Sequence, residues 1–411
     1  MGAETTFDWH EAARLFVETR PVSRPSSAQG SGFRLIRAVP SAESLPRLGE
    51  ALMDQVPFCL YDGPSPRVDN LPPGNFCTLS GGSSGNAKVI RRSQMSWIAS
   101  FMVNAALFGF TPRDRVALLG RLSHSLALYG LLEALHLGMD AHVLDGLSPG
   151  RQWAALERQR ITILYLTPTQ MRLICQAARG RVNEDLRLVI CGGGMCDRAT
   201  RSAMQRAFPS ARLHEFYGAA ETSFATITDL DTPDGSVGHP YPGVTLEIRD
   251  AHGSPIDGVG AVWVRSPYLF DGYAAGQSRD TLLDGGFVTV GEMGEIDARG
   301  NLWLRGRRSR MVTIADQNVF PEEVEQAILA LPEVAACAVL PVADPLRGHR
   351  LVAIVEGVHD VELATRLQRH CRETLGALAA PHRVLFRESL PLLPSGKTDL
   401  RALARWLEEP V

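Results

Sequence analysis

Leu186-Arg187-Leu188-Val189-Ile190-Cys191 runs straight into Gly192-Gly193-Gly194. A short apolar run that ends on glycines reads as a buried strand with an open loop beyond its carboxyl end. Working back toward the N-terminus, the same alternation recurs. Strand patterns at 115–119, 141–144 and 161–166 interleave with helical patterns at 126–137, 152–159 and 169–179. Strands separated by helices predict a parallel α/β sheet covered on both faces. Ligands in such sheets sit at loops outside the strand carboxyl ends. Gly192 to Gly194 fall there, and the run from His214 to Glu221 is read as a second such loop.

Beyond this region the style changes. Residues 238–273 are rich in Gly, Pro and β-formers, and strand patterns at 245–248, 261–264, 287–290 and 301–304 indicate an antiparallel β-rich subdomain. Past Gly306, Val324, Ala327, Ile328 and Leu331 recur at helical spacing behind Pro321. Strands at 334–340, 350–356 and 383–387 with a helix at 361–375 complete a small α+β unit. The reading is a two-domain α/β protein. Residues 1–306 form a large N-terminal domain of parallel α/β sheet plus β-rich subdomain, and 307–411 a small mobile C-terminal domain. Before the glycine-rich loop at 80–88 less is legible: a helix over 7–20, a loop over 21–32 and short elements over 33–60. Residues 95–108 read as a buried helix.

Composition narrows the function. The 411 residues carry 42 Lys+Arg against 45 Asp+Glu, a formal net charge of -3, so no basic excess calls for nucleic acid. The 7 cysteines are scattered and the 11 histidines lack metal-ligand spacing. No apolar run reaches membrane-spanning length, and acidic residues in the first twenty positions argue against a signal peptide. A cytoplasmic protein with reduced thiols, no membrane and no nucleic acid is expected.

Ser80-Gly81-Gly82-Ser83-Ser84-Gly85-Asn86-Ala87-Lys88 is the stretch most suggestive of chemistry. Its glycines allow positive φ and close approach of backbone to ligand, its hydroxyls and N–H groups form an anion nest, and Lys88 adds a point charge. A strand over 76–79 precedes it and a helix opening at Ser93 follows, a natural setting for a phosphate cradle. It is not a Walker loop. The chain's Gly396-Lys397-Thr398 has Pro391 where that motif needs glycine.

Five stretches in order over residues 76–403 resemble the adenylate-forming superfamily of acyl- and aryl-CoA synthetases, nonribosomal adenylation domains and luciferases. They are the loop at 80–88, Phe216-Tyr217-Gly218-Ala219-Ala220-Glu221, Gly291-Glu292, the span from Gly306-Arg307 to Pro321-Glu322-Glu323-Val324-Glu325, and Leu390-Pro391-Leu392-Leu393-Pro394-Ser395-Gly396-Lys397. The resemblance implies that a carboxylate attacks the α-phosphate of ATP. The acyl-adenylate then passes to the thiol of CoA or of a carrier protein's phosphopantetheine. It further implies that Ser80, Gly81, Gly82, Ser83, Ser84, Gly85 and Lys88 hold the β- and γ-phosphates, while Tyr217, with Phe216 and Gly218, stacks on adenine against Gly193 and Gly194. Glu221 becomes a Mg²⁺ ligand, Glu292 the acceptor from the ribose hydroxyls, Arg307 a ribose or phosphate contact, and Lys397 the bridge between carboxylate and α-phosphate. His124, Met195, Ala219 and Ser223 become the acid pocket, whose small and polar character favours an aryl acid such as a hydroxybenzoate.

The departures concern the acceptor more than adenylation. Ala220 replaces the motif threonine, with Thr222 or Ser223 as candidate substitutes. Glu292 lengthens the usual aspartate. Ser309 takes an acidic hinge position, Asp316 takes a glycine position bordering the acceptor's path in relatives, and the lead before the loop is short. Transfer to an amine, or a nonenzymatic nucleotide-binding module, are the alternative readings.

Overall fold

The computed structural model describes residues 5–27, 30–68, 71–79, 88–194, 196–392 and 398–408. At its centre is a 9-stranded sheet, ordered His239–Pro240, Ser223–Ile227, Arg212–Ala219, Leu188–Gly192, Ile163–Leu166, Arg115–Leu118, Asp140–Val143, Leu15–Val17, Arg20–Val22. All neighbours from Arg212–Ala219 through Leu15–Val17 pair in parallel, and the flanking strands close both edges antiparallel.

Period-two alternation sorts the strand side chains. Val116, Leu118, Ile163, Tyr165 and Ile190 join one core with Leu128, Leu131, Leu132 and Leu135 of the helix Ser125–His136. Ala117, Leu164, Val189 and Cys191 join another with Trp153 and Leu156 of the helix Pro149–Arg158 and Met171 and Ile174 of the helix Pro168–Ala178. The helix Ser125–His136 is buried from Ala127 to His136 because a second sheet covers its far side. Truncating a side chain such as Leu131, wholly inside, would cost about 2–5 kcal/mol.

That second sheet sets Arg34–Arg37, Phe58–Tyr61 and Asn75–Leu79 in parallel, then Val89–Ser93 and Gly272–Ala275 antiparallel. A 6-stranded antiparallel sheet spans Thr245–Arg249 to Leu302–Arg307. The chain from 312 to 386 has its own core, Ile314, Val324, Ile328, Val339, Ala353 and Leu367 among its members. In it, Cys337–Asp344, Gly348–Glu356 and Arg383–Arg387 form a sheet flanked by helices Pro321–Leu329 and Val361–Leu375. The α/β class expected from sequence is the fold observed.

Two expectations are corrected. Residues 7–20 are not helical: Leu15–Val17 pairs with Asp140–Val143, and Phe7 and Trp9 are buried in the core between the sheets. Non-local pairing and burial outweigh a weak local helical pattern there. The run from His214 is not a loop either, since Arg212–Ala219 is a strand that turns only at Ala220. All seven cysteines are free. Among the described residues no helix is long and apolar enough to cross a membrane.

Candidate active site

Leu79 pairs with Val89, so the glycine-rich segment joins two antiparallel strands. The following helix, Gln94–Phe108, opens only after Ser93, whose Oγ accepts from Ser96 N at 3.3 Å. The helix therefore starts beyond the second strand, away from the loop's end. Ser80, Gly81, Gly82, Ser83, Ser84 and Gly85 lie outside the described residues. So do Met195 and Lys397. Lys88 is described, and its Nζ stands 5.9 Å from the centroid of the Tyr273 ring.

Beyond the carboxyl ends of the parallel strands opens a cleft of about 1050 Å³. Lys88, His124, Gly193, Gly194, Phe216, Gly218, Ala219, Glu221, Ser223 and Arg307 all line it. Residues scattered over 220 positions of sequence thus meet on one surface, where the doubly covered sheet leaves its loops free. Two glycines are dictated by packing. A Cβ at Gly192 would stand 2.2 Å from Phe216 Cζ, and one at Gly218 only 1.8 Å from Ser223 O.

Tyr217 and Glu292 are not on this wall. Strand alternation sends Tyr217 toward Ala225, Ile248 and Val262, with a bulge between Tyr217 and Gly218. Glu292 faces Arg307 across the strand pair, Oε1 to Nε 3.0 Å, so the two candidate ribose contacts hold each other. Burial, then Glu292, push the Tyr217 phenol above its ordinary range.

Glu221 is buried, and its Oε1 accepts from the Tyr273 hydroxyl at 2.7 Å; Thr281 Oγ1 lies 2.8 Å from the same hydroxyl. Behind it Arg92, fully buried, donates from Nε and Nη2 to Ala220 O at 3.2 and 2.9 Å and from Nη1 to Tyr268 O at 2.8 Å. Burial lowers the Arg92 pKa to about 10, so it stays charged at neutral pH and pins the turn that carries Glu221. Neither Arg92 nor Tyr273 was visible as a site residue in the sequence. Arg91-Arg92 reads as an ordinary charged pair, and Tyr273 lies 52 positions from Glu221.

Thr222 does not replace the missing threonine hydroxyl. It is buried, and its Oγ1 accepts from Ala219 N at 3.0 Å. Ser223, at φ 56°, lines the cleft and accepts from Trp97 Nε1 at 3.1 Å. The deeper wall is aromatic: Trp97, Tyr129, Tyr165, Phe216 and Phe224 line it, with Tyr129 and Phe224 centroids 5.2 Å apart. Arg401, on the C-terminal helix Leu400–Glu408, also lines the cleft. Leu392 and Thr398, on either side of 393–397, are joined by an antiparallel bridge.

Among the described residues no group of three His, Cys, Asp or Glu could hold a metal. A lone buried carboxylate, one oxygen already held by Tyr273, fits a Mg²⁺ that takes its remaining ligands from phosphates and water, and not an all-protein cage.

Comparison with known proteins identifies the family. The family model described as AMP-binding enzyme matches residues 38–274, and its C-terminal domain model matches 323–397. The chain belongs to this family, the adenylate-forming superfamily of ligases. It is 32% identical over 85% of its length to an uncharacterized acyl–CoA ligase, YhfT, of Bacillus subtilis, spanning 71% of that protein. It is 28% identical to the salicyl-AMP ligase / salicyl-S-ArCP synthetase of Mycobacterium tuberculosis, spanning 84% of this chain and 63% of that one. Among solved structures, the amide bond synthetase McbA of Marinactinospora thermotolerans superposes with TM-score 0.73 at 26% identity, over 92% of this chain and 80% of the other.

Proposed function

We propose that the protein is an ATP-dependent ligase that adenylates a carboxylic acid and transfers the acyl group to a thiol. The observation that carries this is the convergence of Lys88, Glu221, Arg307 and Arg401 on one cleft with an aromatic inner wall. In the first step the substrate carboxylate oxygen attacks the α-phosphorus of ATP, and pyrophosphate leaves. Lys88, with the preceding loop, meets the charge of the β- and γ-phosphates, and Arg307, on the cleft lining, is the candidate contact for ribose or α-phosphate. When bound beside Glu221, Mg²⁺ neutralises phosphate charge. Tyr273 and Arg92 orient that carboxylate and its turn. Arg401 supports the reading that 307–411 is a mobile domain closing over the cleft, because it follows Lys397 by four residues in sequence. In the second step a thiolate attacks the acyl carbon, and AMP leaves.

The ring-lined inner wall favours a planar aryl acid over a long aliphatic chain, in keeping with the relative named for salicylate. The acceptor is CoA or a carrier protein. A second reading, transfer to an amine, is favoured by the likeness to a protein named an amide bond synthetase. ATP–pyrophosphate exchange against a panel of aryl and aliphatic acids tests adenylation. Addition of CoA, an acylable carrier protein or an amine then separates the acceptors. Exchange with no acid on a broad panel would count against an enzyme of this class and leave a nucleotide-binding module.

A further inference from the structure

The helix Gln94–Phe108 is inside out. Its polar side chains face the interior: Gln94 Oε1 accepts from Phe7 N at 2.6 Å, the Ser96 hydroxyl donates to Ser93 O at 2.7 Å, and Ser100 Oγ lies 2.8 Å from the Tyr129 hydroxyl. Asn104 Nδ2 donates to that same hydroxyl at 3.1 Å, and its Oδ1 accepts from the Tyr241 hydroxyl at 2.7 Å. All four are buried. The outward face carries Met95, Ala99, Met102, Val103, Ala106 and Leu107, with Met102 58% and Leu107 49% exposed. No Asp, Glu, Lys or Arg occurs anywhere in the helix.

A surface helix ordinarily turns its polar residues to water and its apolar ones inward. Here the hydrogen bonds account for the inner face, and the monomer's own packing gives no reason for the outer one. Six neighbouring apolar side chains form a patch of roughly 300–600 Å², as large as the largest on a typical monomer and of the kind that is often functional. The spacing indicates what fits it. Met95, Ala99, Met102 and Ala106 recur at intervals of four, three and four, the spacing of a seam between two helices. Along that seam a bulky side chain alternates with a small one.

We propose that two copies of the chain pair through this face, helix against antiparallel helix about a twofold axis. The seam is self-complementary in that orientation. With the axis between Ser100 and Phe101, Met95 of each copy meets Ala106 of the other, and Met102 meets Ala99. Every bulky side chain then fills the space above a small one, whereas parallel pairing in register sets methionine on methionine and alanine on alanine. Alanines at the contact let the helix axes approach to about 8 Å. The absence of charge leaves no ion unpaired when water is excluded, and a face without Lys or Arg offers nothing to anionic lipid headgroups. A patch of this size is below the about 800 Å² that a standard interface buries on each partner, so the dimer is reversible and concentration-dependent. Pairing also backs the cleft, because Trp97 on the inner side lines it and donates from Nε1 to Ser223.

The test is sedimentation velocity of the full chain over a concentration series, on wild type, Met102→Glu, Met95→Glu and Met95→Glu/Ala106→Lys. Met95 and Met102 are exposed, so these changes should leave the fold intact, which thermal unfolding checks. Wild type should pass from monomer to dimer as concentration rises. Each single change should raise the dissociation constant roughly tenfold or more, since it sets an unpaired charge in the seam. The double variant should regain dimer, because antiparallel pairing brings the new acid against the new base at both ends, and parallel pairing would bring like charges together. A monomeric wild type, a dimer that Met102→Glu leaves unchanged, or a double variant no better than Met95→Glu would each overturn the proposal. A monomeric wild type that co-floats with phosphatidylglycerol vesicles, and no longer does so as Met102→Glu, would assign the face to a membrane instead.

Discussion

The hydroxyl of Tyr273 holds one oxygen of Glu221 at 2.7 Å, joining the second sheet to the turn after Arg212–Ala219. This bond leaves the carboxylate oriented and its other oxygen available. Two substitutions should separate charge from orientation. Glu221→Gln removes a hard anionic ligand, so adenylation should fall sharply and recover in part at raised Mg²⁺. Tyr273→Phe keeps the charge and should lower the rate by roughly tenfold with little change in Mg²⁺ dependence. Pyrophosphate exchange at several Mg²⁺ concentrations reads both; no Mg²⁺ rescue of Glu221→Gln would remove Glu221 from the metal site.

Arg92→Ala should be among the most damaging single changes. It strips the carbonyls of Ala220 and Tyr268 of a buried charged donor, at a cost of roughly 3 kcal/mol or more. Arg92→Lys, retaining charge but not the fork, should recover part of the stability. Denaturant unfolding measures both, and equal stability of all three proteins would contradict the role given to this arginine.

Glu133 lies behind Tyr165 at the inner wall, fully buried, with Asn104 Nδ2 donating to it at 2.8 Å and the Tyr165 hydroxyl donating to its other oxygen. Burial raises its pKa to about 8 from an ordinary 4.5. The folded protein therefore holds a proton that the unfolded chain releases above pH 4.5. This stabilisation is full below that pH and is lost as pH rises to about 8, at most about 1.4 kcal/mol per pH unit for one linked proton. Glu133→Gln should flatten the decline in thermal midpoint between pH 5 and 8. An unchanged slope would show that Glu133 is not the responsible group.

His142 carries the opposite sign. It is buried and stacked on Phe16 with centroids 4.5 Å apart, and burial lowers its pKa to about 4. The unfolded chain takes up a proton below about pH 6.5 that the folded one refuses. Stability should fall as pH drops from 6.5 toward 4, and His142→Phe should blunt that loss in acid unfolding curves. Equal acid sensitivity of variant and wild type would rule the histidine out.

Ala315 and Asp316 both have positive φ, 47° and 67°, as the two-residue hairpin between Ile314 and Gln317 requires. Alanine tolerates that region poorly, so Ala315→Asn should stabilise by up to about 1 kcal/mol. The exposed Asp316 side chain supports no core. Asp316→Gly should therefore leave the fold intact and change the rate or acceptor preference of acyl transfer while leaving pyrophosphate exchange in place. Equal loss in both half-reactions would mean Asp316 does not act on acceptor choice.

Lys397→Ala should reduce adenylate formation by about two to three orders of magnitude, the scale of one preorganised transition-state contact. If 307–411 is a mobile domain that presents another face for the second step, transfer from a supplied acyl-adenylate should persist. Loss of both half-reactions in a folded variant would contradict a rotating domain.

The sequence by itself determined the parallel sheet, because strand and helix periodicities are local and the runs at 115–191 display them without interruption. It also placed Gly192 to Gly194 at the end of a strand, where the cleft opens, although the close packing of Gly192 on Phe216 and of Gly218 on the Ser223 carbonyl belongs to the tertiary structure. Tertiary structure decided the rest. Leu15–Val17 is a strand only because Asp140–Val143 offers it a parallel edge. Tyr217 leaves the cleft wall because its neighbour Phe216 takes it, a choice of strand face that one motif cannot reveal. Arg92 and Tyr273 matter through partners 128 and 52 positions away, contacts created only when the two sheets close on one another.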